Sequence, residues 1–113
     1  MQGELGSLQV ALSESDDTAT LQLSGELDVT TSPLLQAVLD QLLAAKRRPV
    51  INHLVVEMTD VRFADAAGLS PVLHARAVLQ KRDGFVLVRR PARAVRRVLE
   101  VLSLQDLVEA RTA

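Results

Sequence analysis

Leu8, Val10 and Leu12 alternate with Gln9, Ala11 and Ser13, and Ala19, Leu21 and Leu23 alternate with Thr18, Thr20 and Gln22. A two-residue period sends successive side chains to opposite faces of a strand, so each segment predicts a strand with one buried and one solvent-facing side. The polar, acidic stretch from Ser13 to Asp17 between them reads as a turn, which makes the pair an antiparallel hairpin. Beyond it the period changes. Leu34, Leu35, Val38, Leu39, Leu42 and Leu43 recur at helical spacing and predict a helix that buries one continuous face. Ser32 can cap its first N–H groups and Pro33 suits the first helical position. Lys46-Arg47-Arg48 would complement the C-terminal end of its dipole, and Pro49 stops it.

The run Leu54-Val55-Val56-Glu57-Met58 is apolar without alternation, as in a central strand covered on both faces. Leu69, Val72, Leu73 and Leu79 mark a second helix, which ends at Lys81-Arg82-Asp83-Gly84, where Asp-Gly signals a turn. Phe85 to Val88 is another buried strand, broken by Arg89-Arg90-Pro91. Val95, Val98, Leu99 and Leu102 mark a third helix. Leu104 to Val108 adds a short helix or strand, and the tail from about residue 109 is expected to fray. The order β-β-α-β-α-β-α predicts an α/β fold. Residues 1–113 form a single domain whose first strand starts at about residue 7, with a mixed β-sheet of four to five strands and three to four helices.

Composition narrows the chemistry. A 113-residue chain with a 48% hydrophobic fraction is long and apolar enough for one unstapled core. With a net charge of −1 and two Phe as its only aromatics, it offers neither an electrostatic pull on nucleic acid nor a base-stacking platform, so direct nucleic-acid binding is not expected. No apolar run approaches a membrane span and no leader precedes a cleavage site, so membrane insertion is not expected and a cytoplasmic location is the default. The absence of Cys removes thiolate chemistry. His53 and His74 lack ligand spacing, and neither a Gly-x-Ser-x-Gly elbow nor a Gly-rich phosphate loop occurs. These readings predict no cofactor, no metal and no enzymatic activity. Arg89, Arg90, Arg93, Arg96 and Arg97 form the one basic concentration, read as a solvated helix face ahead of a docking site for an acidic partner.

The functional candidates gather at chain connections. Gly25 suits a bend or a close backbone approach, and Asp28 opens a polar connection that includes Thr30 and Thr31. Val61-Arg62-Phe63-Ala64-Asp65-Ala66-Ala67-Gly68-Leu69 reads as loop and helix start after a strand, with Thr59-Asp60 in the loop. In α/β sheets such junctions collect helix N–H groups and variable loops, and ligands or partners dock there. Asp28 and Asp65 could share a face. Partner contact is favoured for Asp28 because Ser32 already serves as a cap, whereas for Asp65 capping and partner contact are balanced. Pro71 suggests a slightly late helix start, with Ser70 as cap and Pro71 in the first position; a substitute phosphoacceptor role for Ser70 ranks second.

These stretches together resemble the STAS domain family of anti-sigma factor antagonists, from the first strand to about Leu107. Leu23-Ser24-Gly25-Glu26-Leu27-Asp28 is similar to the family's second-strand motif. Leu54 to Val61 resembles its central strand and loop, with Glu57 where Asp is common, and Gly84 to Val88 with Pro91 and Val95 to Leu99 resembles its last strand and helix. The signature is strand, loop, Asp-Ser-Ser-Gly-Leu, helix, and in typical members a partner kinase phosphorylates the second Ser. Here Ala66 and Ala67 occupy the two Ser positions, so Ala67 is the phosphosite-equivalent position without a phosphoacceptor. The resemblance implies a protein that binds a kinase-type anti-sigma factor and so frees a sigma factor, fixed in its binding state or regulated elsewhere. The implied partner surface is Asp28, Thr30 and Thr31, then Asp60 and Phe63, then Asp65, Ala66, Ala67, Gly68, Leu69 and Ser70. STAS domains also serve as adaptors, in stress-signalling scaffolds or on ABC-type lipid transporters, and the missing hydroxyl raises that alternative. Homodimerisation is left open.

Overall fold

The alternating segments pair as the hairpin they predict. The computed structural model describes residues 7–109. In it β1 (Leu8–Ser15) runs antiparallel to β2 (Thr18–Leu27), which lies parallel to β3 (His53–Ala64), which in turn lies parallel to β4 (Phe85–Arg89). The sheet order is β1-β2-β3-β4. Helices α1 (Ser32–Leu42), α2 (Ala66–Gln80) and α3 (Arg93–Val101) follow β2, β3 and β4 in turn. A short 3-10 turn, Gln105–Leu107, leads to Val108, which bridges in parallel to Val88. The observed order is the predicted β-β-α-β-α-β-α.

One row of each strand carries the core. Leu21, Leu23 and Leu27 of β2, Leu54, Val56 and Met58 of β3, and Val86 and Val88 of β4 are buried in one cluster with Leu35 and Leu39 of α1, Leu69, Val72 and Leu79 of α2, and Val95 and Leu99 of α3. Each such side chain contributes roughly 1.5–3 kcal/mol by leaving water. On the other side of β2, Thr18, Thr20, Gln22, Ser24 and Glu26 are half-buried or exposed. The sheet therefore has one covered face and one open face.

This arrangement corrects several expectations. β3 and β4 are not covered on both sides: Val55 is buried in register between Thr20 and Leu87, but Glu57 and Leu87 are only half-buried and Phe85 is exposed. Lateral neighbours in a sheet shield a valine without any second layer. The row Leu8, Val10, Leu12 runs from buried to 46% exposed, because β1 is an edge strand and cover fades along it. On α1, Leu34 is exposed rather than part of the buried face. That helix ends at Leu42, short of Lys46-Arg47-Arg48, so no basic residue lies in its last turn. Arg47 instead binds the Glu14 carboxylate, and Arg48 Nη1 donates to the Ala45 carbonyl at 2.8 Å. The turn signalled by Asp83-Gly84 is present after α2 as expected, with Asp83 in the left-handed region (φ 59°) and the Gly84 N–H closing back on the Leu79 carbonyl at 2.8 Å.

At the C-terminal end, Glu109 is held: its N–H donates to the Val88 carbonyl at 2.8 Å and its carboxylate accepts from Arg89 Nε at 2.8 Å. The rest of the tail expected to fray, residues 110–113, lies outside the described residues.

Candidate functional site

Two parallel strands finish side by side. Leu27 of β2 pairs with Ala64 of β3, and the Asp65 N–H donates to the Leu27 carbonyl at 3.1 Å. Their two continuations, Asp28 to Thr31 and Asp65 to Ser70, therefore leave the sheet from one spot.

The first continuation is a turn built on its own side chains. The Asp28 carboxylate accepts from the N–H groups of Thr30 (2.9 Å) and Thr31 (3.0 Å). Thr31, only 3% exposed, donates its hydroxyl to the Glu26 carbonyl at 2.8 Å and accepts from the Asp28 N–H at 3.0 Å. Thr31, not Ser32, occupies the N-cap position of α1, with Pro33 just inside it, and its side chain makes no capping bond because its hydroxyl is used within the turn. The reason for favouring partner contact at Asp28 thus falls away, since Ser32 is not the cap of α1 and the Asp28 carboxylate organises the turn that leads into it. Thr31→Val should remove the buried acceptor of the Asp28 N–H while keeping the shape of the side chain. The expected loss is about 1–3 kcal/mol in urea unfolding, with an unchanged m-value.

The second continuation enters α2 immediately. Asp65 is the N-cap, and its Oδ1 accepts from the Gly68 N–H at 2.8 Å. The late start is overturned: α2 begins at Ala66, Ser70 lies within its second turn, and Pro71 sits inside the helix. Having no N–H, Pro71 cannot donate to the Ala67 carbonyl, and the helix tolerates this because Asp65 already secures the first turn while Leu69, Pro71 and Val72 are all buried. A Cβ added at Gly68 would lie 2.0 Å from the Leu27 carbonyl and 2.5 Å from the Asp28 nitrogen. The first turn of α2 thus rests directly on the end of β2, which brings the Asp28 turn and the Asp-Ala-Ala-Gly segment together.

The outer surface of this junction is small and apolar. Ala66 and Ala67 are exposed, whereas Gly68 and Leu69 are buried and Ser70 is half-buried. Val29, passed over between two polar residues, is 72% exposed beside Asp28, and Leu34 is exposed on the first turn of α1. A lone apolar residue inside a polar turn was the available signal for Val29. Asp60 and Phe63 are not on a loop: β3 continues through both, alongside Ser24 and Glu26 respectively. Phe63 is 49% exposed one residue before Ala64. Asp60 stands apart from the junction and lines an open cleft of about 410 Å³ with Gln9, Ser24, Gly25 and Arg62.

Several of the remaining polar candidates make contacts within the fold, although the buried Nδ1 of His53 has no hydrogen-bond partner among the described residues. His53 stacks on Phe85 with ring centroids 4.3 Å apart, and His74 Nδ1 lies 2.9 Å from Gln36 Oε1, joining α2 to α1. Within the basic concentration, Arg89 pairs with Glu109 and Arg90 with Glu57, leaving Arg93, Arg96 and Arg97 along α3. Among the described residues, no group of three or more His, Cys, Asp and Glu is placed to hold a metal ion.

An edge hairpin, three following helices and an Asp-capped helix opening directly behind the second parallel strand define a STAS-type α/β domain. The family described as "Mlab, STAS domain" matches residues 10–109, and the chain belongs to the STAS domain family. Among individual relatives, the chain is 26% identical over 98 residues to the anti-sigma F factor antagonist of Paenibacillus polymyxa, covering 87% of this chain and 81% of that protein. Its fold is similar to the structure of the anti-sigma factor antagonist SpoIIAA in its unphosphorylated form, with a TM-score of 0.78 and 20% identity over 92% of this chain and 89% of that one. It is also similar to an anti-sigma factor antagonist from Mycobacterium paratuberculosis, with a TM-score of 0.77 and 23% identity over 97% and 92% of the two chains.

Proposed function

We propose that this chain is an anti-sigma factor antagonist. It binds a kinase-type anti-sigma factor and so releases a sigma factor, as a cytoplasmic protein with no catalytic role and no cofactor. The observation that carries the reading is the exposed methyl of Ala67 in the first turn of α2, one residue before the Gly68 that rests on Leu27 and Asp28. In typical members of the family a hydroxyl there accepts a phosphoryl group, which adds close to two negative charges to the binding surface. Ala67 cannot accept one, so the junction keeps its small apolar character and the partner is never repelled by phosphate at this position. Val29, Phe63 and Ala66 extend the contact surface, while the carboxylates of Asp28 and Asp65 hold its backbone in shape.

The absence of hydroxyls at residues 66 and 67 also favours a second reading, an adaptor without a phosphorylation cycle bound to an ABC-type lipid transporter or a stress-signalling scaffold. Titration calorimetry separates the two. The protein and its Val29→Lys variant would be titrated with a purified kinase-type anti-sigma factor from the same genome and, separately, with a transporter ATPase subunit. The proposal expects binding to the first, weakened several-fold by Val29→Lys with an unchanged circular dichroism spectrum, since the Val29 side chain is 72% exposed. Binding to the ATPase subunit alone would replace the proposal with the adaptor reading.

A further inference from the structure

We infer that the β1 edge is a self-pairing surface, through which two copies of this chain join their sheets antiparallel about a two-fold axis at Ala11. Ser7 accepts a hydrogen bond from the Glu26 N–H at 3.0 Å, and the β1–β2 register is unbroken from Leu8 to Ser15. In an antiparallel ladder the bonded residues recur every second position, here Ser7, Gln9, Ala11, Ser13 and Ser15. The N–H and C=O groups of Leu8, Val10, Leu12 and Glu14 therefore point away from β2, and among the described residues no strand lies beyond β1. Edge strands are ordinarily protected by Lys, Pro or a bulge. β1 has none of these, and its apolar Leu12 is 46% exposed on the helix-covered side of the sheet.

A second copy of this strand is the occupant that suits the edge. In the register centred on Ala11 all four outward-pointing residues are used: Val10 pairs with Leu12 of the second copy, and Leu8 with its Glu14. The Val10–Leu12 contact occurs twice, on the helix side, and covers the leucine left exposed in the single chain. Gln9 meets Ser13, and Ala11 meets Ala11 at the axis, where two methyl groups fit without crowding. The only charge on the strand also permits it. Glu14 falls opposite a leucine rather than another Glu14, and its carboxylate is already bound by Arg47 of its own chain. Like charges directly opposite would oppose pairing.

The chain contains no cysteine, so single thiols report the register. At the axis the two Ala11 Cα atoms would be about 4.5 Å apart, inside the roughly 4.4–6.8 Å range of disulfides. Two Gln9 Cα atoms would be about 14 Å apart, being four residues out of step. Under mild oxidation Ala11→Cys is expected to cross-link at least tenfold faster than Gln9→Cys. Sedimentation of the unmodified chain at roughly 100 μM should show a concentration-dependent dimer, and Leu12→Lys should weaken that dimer at least tenfold without changing the circular dichroism spectrum. A monomer throughout that range, or equal cross-linking at the two positions, would overturn the inference. Neither readout involves the α2 junction, so the result is independent of the proposed function.

Discussion

Gly68→Ala is expected to lower stability by about 4 kcal/mol, a large share of the roughly 5–15 kcal/mol available to a domain of this size. The new methyl would sit 2.0 Å from the Leu27 carbonyl carbon and oxygen. Leu27 cannot retreat, because it is fully buried, paired with Ala64, and its carbonyl accepts the Asp65 N–H. Relief would have to come from lifting the first turn of α2, which would break the Asp65 cap on Gly68 and withdraw Leu69 from the core. Ala67→Gly is the internal control. It alters the same turn at an exposed position and should cost no more than about 1 kcal/mol. Thermal unfolding should place Gly68→Ala about 15 °C below the parent, with Ala67→Gly within a few degrees of it. Equal melting temperatures for Gly68→Ala and the parent would mean that α2 does not rest on the end of β2.

The same contact explains which parts of the site could be read from the sequence. Asp65 and Ser70 are both good caps, and Pro71 argues locally for the later one. What decides between them is tertiary: only a helix beginning at Ala66 brings Gly68, which lacks a Cβ, against the Leu27 carbonyl. A local rule cannot weigh a contact formed by residues forty positions away. Gly25 is the opposite case. Its expected close approach is present, with φ at 112° and a hypothetical Cβ 2.4 Å from the Ser7 carbonyl oxygen. Here the partner strand was legible from its own alternation.

Burial was harder to read than pattern. The periods of two and 3.6 placed the hairpin and the helices, and unalternating apolar runs placed β3 and β4, in the right order because each signal is a property of a single element. Leu12 and Leu34 nevertheless lie exposed, since whether an apolar row is covered depends on what lies beyond the sheet edge or beside the helix. β3 likewise runs on through Thr59 and Asp60, where polarity suggested a loop. Those residues lie opposite irregular β2 pairing between Gln22 and Glu26, and both side chains remain exposed, so the strand pays no desolvation cost for them. Asp28 was assigned to the surface because the burial of Thr31, which makes the turn a closed hydrogen-bonded unit, is invisible in a polar Asp-Val-Thr-Thr run.

Ala67 carries the largest expected effect on binding. Under the proposed function, Ala67→Glu should weaken the complex with the kinase-type anti-sigma factor by at least tenfold, which corresponds to about 1.4 kcal/mol. The same substitution should not harm the fold. Residue 67 is exposed in the first turn of α2, where a negative side chain interacts favourably with the helix dipole by about 0.3–1 kcal/mol. Binding and stability would therefore move in opposite directions, which separates a surface effect from partial unfolding. Ala67→Ser supplies the complementary arm: it restores a hydroxyl with little change in shape, so it should bind like the parent. With ATP and the same partner it should gain one phosphate by intact mass, while the parent gains none, and the modified form should dissociate. Unchanged affinity in Ala67→Glu would remove the first turn of α2 from the binding surface. Binding without phosphorylation in Ala67→Ser would instead show that the loss of the switch involves more than one missing oxygen atom.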